Sequence, residues 1–213
     1  MKCSILSPVV VCSAVILASA LALAKPALAR KKKVLATGQT TAYQARNNGD
    51  LAPVDVPDDG TLQRGAPLKY KLLKDGTVQD LNTSLIWEVK CIVLCPTLHQ
   101  FASIYPWTGD GSHDTIWDWL DQINAEGGTG YAGHHDWRIP NRRELESLVD
   151  AQRFGAAINP IFGATASSDY WSSTTVANST SNAWVVNFGV GAVNDTNAKT
   201  TLLFVRAVRG GPK

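Results

Sequence analysis

Residues 136–145 read Asp136-Trp137-Arg138-Ile139-Pro140-Asn141-Arg142-Arg143-Glu144-Leu145, an extended run that turns directly into a helix. Trp137 and Ile139 alternate with Arg138, so both face one core. Pro140 and Asn141 set the helix start. Asn141 is the N-cap and Glu144, three residues on, completes a capping-box pair. Leu145, Leu148 and Val149 give the buried face, and the helix is predicted to end near Asp150. Arg138 and Glu144 can pair across the corner or bond loop carbonyls. Caps and buried aromatics account for every position, so Asp136, Trp137, Arg138, Pro140, Asn141 and Glu144 read as scaffold. The preceding His134-His135 could join Asp136 on a metal, but neighbours in an extended chain point different ways.

Upstream, Ile116, Trp119, Leu120 and Ile123 form one apolar stripe at helical spacing, predicting a helix over 115–126. Asp114 or Thr115 caps it and Gly127-Gly128 stops it. Further back, in Tyr70–Val89, Asp75-Gly76 is a tight-turn signal and Thr77-Val78 and Leu85-Ile86-Trp87 are β-type runs, a hairpin or meander. Residues 36–68 are polar and turn-rich, an extended loop with short strands. Downstream, Tyr170–Val176 and Ala183–Phe188 are predicted strands joined by a turn at Asn178–Ser181, with Trp184, Val186 and Phe188 on one face. Gly189-Val190-Gly191 turns again, and Thr201–Arg209 is the closing strand. Trp87, Trp119, Trp137, Trp171 and Trp184 are assigned to the core. Short helices followed by antiparallel strands define an α+β class, two short helices on antiparallel sheet, and exclude a parallel doubly wound sheet.

The 213-residue chain is 45% hydrophobic and 18% charged, which excludes a disordered protein. Its net charge of +2 is asymmetric: six of 20 bases and no acid precede Val34, leaving the remainder at −4. A folded part without a basic excess argues against nucleic acid as the main partner. The positive start Met1-Lys2, the apolar run Ile5–Leu23 and the sites Ala22-Leu23-Ala24 and Ala27-Leu28-Ala29 have the layout of a cleaved secretory signal, residues 1–29, cut after Ala24 or Ala29. A single anchoring helix is the alternative. A basic linker, 30–36, and one domain, 37–211, follow, with no transmembrane span after cleavage. Export to the periplasm, cell surface or medium is therefore expected. It leaves Cys91 and Cys95 in an oxidising place, where a disulfide between them is feasible. The rival reading is zinc on Cys91, Cys95, His99 and His113.

Several of these segments also stand in a recognisable order. They are Thr37-Gly38-Gln39-Thr40-Thr41-Ala42-Tyr43, Asp58-Asp59-Gly60-Thr61-Leu62-Gln63-Arg64-Gly65 and Asp75-Gly76-Thr77-Val78-Gln79-Asp80. The Asp136–Leu145 block, Tyr170-Trp171-Ser172-Ser173-Thr174 and Phe204-Val205-Arg206-Ala207-Val208-Arg209-Gly210 follow. Together they resemble the family named after the C-terminal domain of the Legionella collagen-like protein, over roughly Thr37 to Gly211. The resemblance implies a fold similar to C-type-lectin-like domains and formylglycine-generating enzymes. It also implies a surface or secreted bacterial protein, in some members an adhesin for sulfated polysaccharide, and it makes Trp171 and Arg206 motif residues. This chain departs from that pattern in lacking a collagen-like region, which bears on trimerisation and adhesion. It has no cysteine after Cys95, so the oxidase chemistry is not carried over. Val193-Asn194-Asp195 is weakly similar to the second calcium element of calcium lectins, whose sugar motif is absent.

Candidate binding residues are few. Trp107 and Trp117 flank a loop containing Asp110 and His113, where an exposed aromatic could stack on a sugar face; loop packing of the tryptophans is the other reading. Polar side chains of Asn178–Ser181, Asn182 and Asn194–Asn197, with Asp195, suit hydroxyl-rich ligands but are ordinary turn residues too. Asp50, Asp55, Asp58 and Asp59 offer oxygen ligands for calcium, the one cofactor considered, at a spacing unlike an EF-hand. No nucleophile elbow, phosphate loop, zinc-protease motif or dinucleotide fingerprint is present. The expectation is a non-catalytic envelope binding domain for polysaccharide. The alternative is a structural or protein-interaction module, and the sequence does not set the oligomeric state.

Overall fold

The segment Tyr70–Val89, which the sequence pattern reads as a hairpin or meander, is a three-stranded meander. In the computed structural model, which describes residues 34–45, 51–53, 58–93 and 95–211, β3 (Tyr70–Leu72), β4 (Val78–Asp80) and β5 (Leu85–Trp87) pair antiparallel in sequence. They follow a small hairpin, β1 (Tyr43–Ala45) and β2 (Leu51–Pro53), and a single helical turn, α1 (Asp59–Leu62). The expected leader and most of the basic linker lie outside the described residues, as do Asp50 and Asp55. No helix among the described residues is long and apolar enough to cross a membrane.

The larger sheet has five strands in the order β6-β10-β7-β8-β9. They are β6 (Ile104–Tyr105), β7 (Asp169–Val176), β8 (Ser179–Asn187), β9 (Ala192–Ala198) and β10 (Leu203–Phe204). All pairs are antiparallel except β10 on β7. A last strand, β11 (Val208–Gly210), joins β5 to give the four-stranded sheet β11-β5-β4-β3. The helices α2 (Ile116–Ala125) and α3 (Arg142–Glu146) begin at the predicted caps. Thr115 and Asp118 form the capping box of α2, and Asn141 and Glu144 that of α3. The fold is thus α+β, with few short helices, antiparallel-rich sheets and much irregular chain.

Both faces of the five-stranded sheet are covered. On one, Tyr170, Val186 and Phe188 meet Leu145 and Leu148 around α3, with Trp87 and Val208 of the smaller sheet. On the other, Trp171, Ala183 and Val185 meet Ile116, Trp119 and Ile123 of α2, with Trp137 and Ile139. Burial on two sides explains why neighbouring positions such as Tyr170 and Trp171, or Val185 and Val186, are apolar together.

Four expectations are corrected. The turn between β7 and β8 lies at Ala177-Asn178, so Ser179–Asn182 belong to the strand. The polar segment around Asn194–Asn197 is itself a strand, and Asn194 pairs with Val185. The single closing strand is two, because Val205-Arg206-Ala207 carries the chain from one sheet to the other. Trp184 is half-buried rather than in either core.

Candidate functional site

Three polar arrangements stand out, and the first is a groove. It has a volume of ≈ 650 Å³ and lies where the start of α3 approaches the β7–β8 hairpin, lined among others by Arg142, Arg143, Thr174, Asn178, Trp184 and Asp195. The capping box aims this corner. Asn141 Oδ1 accepts from Glu144 N (3.0 Å), and Glu144 Oε2 accepts from Asn141 N (2.9 Å). Arg138 clamps the same carboxylate with both guanidinium nitrogens at 2.7 Å, so the predicted pair is bidentate. Thr174 Oγ1 accepts from Arg142 N at 3.0 Å, tying α3 to β7. With its backbone fixed, Arg142 extends over the Trp184 ring, 4.5 Å from the centroid. Among the described residues neither Arg142 nor Arg143 has an ion-pair partner. From the sequence-derived set, Asn182 and Asp195 come together here: Asn182 Nδ2 donates to the Asp195 carbonyl at 3.4 Å. Asn194 sits in the β9 ladder. Periodicity assigned Trp184 to the core, and nothing in the sequence pattern marked Arg142 as its cover.

The second arrangement is the Trp107 corner. Trp107 Nε1 donates to the Ser172 carbonyl at 3.2 Å, and Lys199 Nζ lies 3.8 Å from the Trp107 centroid while donating to Thr175 Oγ1. Trp117 meets Trp107 edge-on at 4.9 Å and is 37% exposed. Trp107 is therefore engaged in packing. In the neighbouring loop, hydrogen bonds from Ser112 hold the Asp110 carboxyl below the usual carboxylate range, and Ser112 Oγ lies 2.9 Å from His113 Nδ1. Asp110 and His113 thus engage Ser112 within their own loop.

The third is a buried charge cluster that sequence reasoning missed. Glu88, Lys90, His99 and Arg206 are all buried. Glu88 pairs with Lys90 Nζ at 2.8 Å and with His99 Nδ1 at 2.8 Å. Burial pushes the Glu88 carboxyl up, but Lys90 and His99 outweigh it and hold it low. Burial pulls the Lys90 ammonium down, only partly offset by Glu88. Arg206, at the crossover between sheets, donates from Nη1 to the carbonyls of Glu88 and Phe162 (both 2.8 Å) and from Nη2 to Thr165 Oγ1 (2.9 Å). Glu88 and Lys90 directly follow the β-type run Leu85-Ile86-Trp87, and no local sequence signal marks them as turned inward.

Cys91 and Cys95 are joined in a disulfide, which removes the zinc alternative. Asp58 caps α1 by accepting from Thr61 N, and Asp59 accepts from Thr37 Oγ1, so both calcium candidates serve local structure. His135 Nδ1 is bonded to the Asn124 carbonyl, and Asp136 pairs with Arg209, whose hydrogen bond lowers its pKa. Among the described residues no cluster of three or more His, Cys, Asp or Glu side chains could hold a metal.

Sheet order, capped corner and groove define a loop-rich α+β domain with an open polar cleft beside α3. The Lcl C-terminal domain family matches residues 76–209, and the chain belongs to that family. No curated protein matches the chain.

Proposed function

We propose that this chain is a secreted or cell-envelope, non-catalytic binding domain that takes polysaccharide in the groove between α3 and the β7–β8 hairpin. One observation carries the reading: Arg142 lies over the half-buried Trp184 in an open cleft that also holds Arg143, Thr174, Asn178 and Asp195. A guanidinium held over Trp184, with hydroxyl, amide and carboxylate groups around it, suits a hydroxyl-rich ligand. Two arginines against one carboxylate add a preference for acidic sugars. Family membership supports a non-catalytic extracellular domain, and a disulfide fits an oxidising compartment.

The test is a glycan array spanning neutral, uronate-bearing and sulfated polysaccharides, with and without calcium. Arg143→Glu and Trp184→Ala are run beside the native protein. Binding to acidic chains that weakens with salt and falls at least tenfold in both variants supports the reading. Silence across the array, or binding that ignores both substitutions, overturns it. The exposed Phe154 (96%) and Val190 (73%) favour a second reading, a protein-interaction module of the envelope. Stoichiometric capture of an envelope protein, abolished by Phe154→Ser, would establish it.

A further inference from the structure

His99 sits between two carboxylates. Its Nδ1 is 2.8 Å from Glu88 Oε1 and its Nε2 is 2.9 Å from Glu126 Oε2. A neutral imidazole carries a single N–H, so it can satisfy only one of these contacts. The other nitrogen would then turn a lone pair toward an anionic oxygen. Only the imidazolium donates to both.

The two carboxylates are not equally free to leave. Glu88 is fully buried, and its Oε2 also accepts from Ala207 N at 2.9 Å. The Glu126 side chain is 28% exposed, ends α2, and is followed by Gly127 and Gly128, both at positive φ. The segment that carries His99 is anchored independently, because the Leu98 carbonyl accepts from both Lys90 Nζ and Trp119 Nε1.

We propose that His99 is a proton-operated clasp: charged, it fastens the end of α2 to the turn Thr97–His99, and neutral, it keeps Glu88 and releases Glu126. The surrounding groups fit this role. Lys90 and, beyond it, Arg206 oppose a further positive charge, while Glu88 and Glu126 attract it. Tyr131 stacks on the ring at 4.1 Å, and burial first of all pushes its phenol up to about 12, so it stays neutral. Tyr105 is likewise raised by burial. Burial itself works against the charge on His99, but its bonds and attraction to Glu88 and Glu126 prevail, raising its pKa above the ordinary 6.5. A raised folded-state pKa means that the clasp's stabilisation is complete below about 6.5 and is lost as pH rises through the folded value. The turn Glu126–Gly128 and the adjoining Tyr131–Gly133 therefore loosen on the alkaline side.

The experiment follows the His99 ring by NMR in the intact protein, with amide hydrogen exchange from pH 5 to 9 corrected for intrinsic chemistry. Glu126→Gln removes the second charge but keeps an acceptor, and the exposed Glu146→Gln is the control. The expected result is a His99 titration above 6.5, with exchange at 126–133 rising through the same pH. In Glu126→Gln the titration moves down and the pH step in exchange shrinks, while Glu146→Gln changes neither. Titration at or below 6.5, exchange at 126–133 without a pH step, or a Glu126→Gln protein that titrates like the native one, overturns the clasp.

Discussion

Arg206 shows at the residue scale how much a single side chain can hold. Its guanidinium reaches carbonyls on two separate segments and a threonine hydroxyl while fully buried. Lysine has the charge but not the planar fork. Arg206→Lys is expected to lower stability by about 2–4 kcal/mol, the cost of losing one or two charge-assisted bonds in a buried site. Urea denaturation measures it, and a loss under about 1 kcal/mol would mean that the fork is dispensable. Asn141 acts more locally. Asn141→Ala removes one half of the α3 capping box and should cost about 1 kcal/mol, read as a lower thermal midpoint. This cap was legible because its partners lie three residues apart, and the Arg138–Glu144 pair was legible for a similar reason. The Glu88–His99–Glu126 bridge was not, since its members stand 11 and 27 residues from the histidine.

At the scale of elements, local pattern succeeded where one face alone is buried. The stripe of α2 and its Thr115 cap emerge as written. Pattern failed at β9, where Ala192–Ala198 contains two asparagines and an aspartate, poor strand formers that read as turn residues. The ladder of β8 recruits this segment as an edge strand, and its half-exposed residues need no apolar alternation. Pattern failed also at 201–209, where even alternation hid a change of sheet. The disulfide loop is a third element with its own test. Cys91 and Cys95 are separated by four positions, so the closed loop is small. By loop-closure entropy, reduction should lower stability by about 2 kcal/mol. Denaturation with and without reductant checks it, and an unchanged midpoint would show that the buried charges alone hold this segment.

At the largest scale, the described domain is built around its five-stranded sheet, with a core on each face. Leu145 belongs to one core and Ile123 to the other, both fully buried. Leu145→Ala and Ile123→Ala are each expected to cost about 2–5 kcal/mol. Because β7 and β8 serve both cores, each variant should shift a single shared unfolding transition; calorimetry showing two transitions would contradict this. Acid acts on the whole fold through Glu88. Its folded-state pKa is lowered, so its contribution is present above the ordinary carboxylate value of 4.5 and is lost as pH falls through the folded one. Midpoint against pH should decline on that side, and Glu88→Gln should flatten the decline. The sequence by itself determined the caps, the helical stripes, the α+β class and the family resemblance, and made a hairpin or meander over 70–89 and the cysteine pairing feasible. Each of these depends on neighbours a few positions apart or on a motif in fixed order. Only the tertiary structure decided the crossing between sheets, the inward turn of Glu88, Lys90 and His99, and the meeting of Arg142 with Trp184. Those contacts join distant segments whose spacing carries no period, and their energies arise only once water has been excluded from between them.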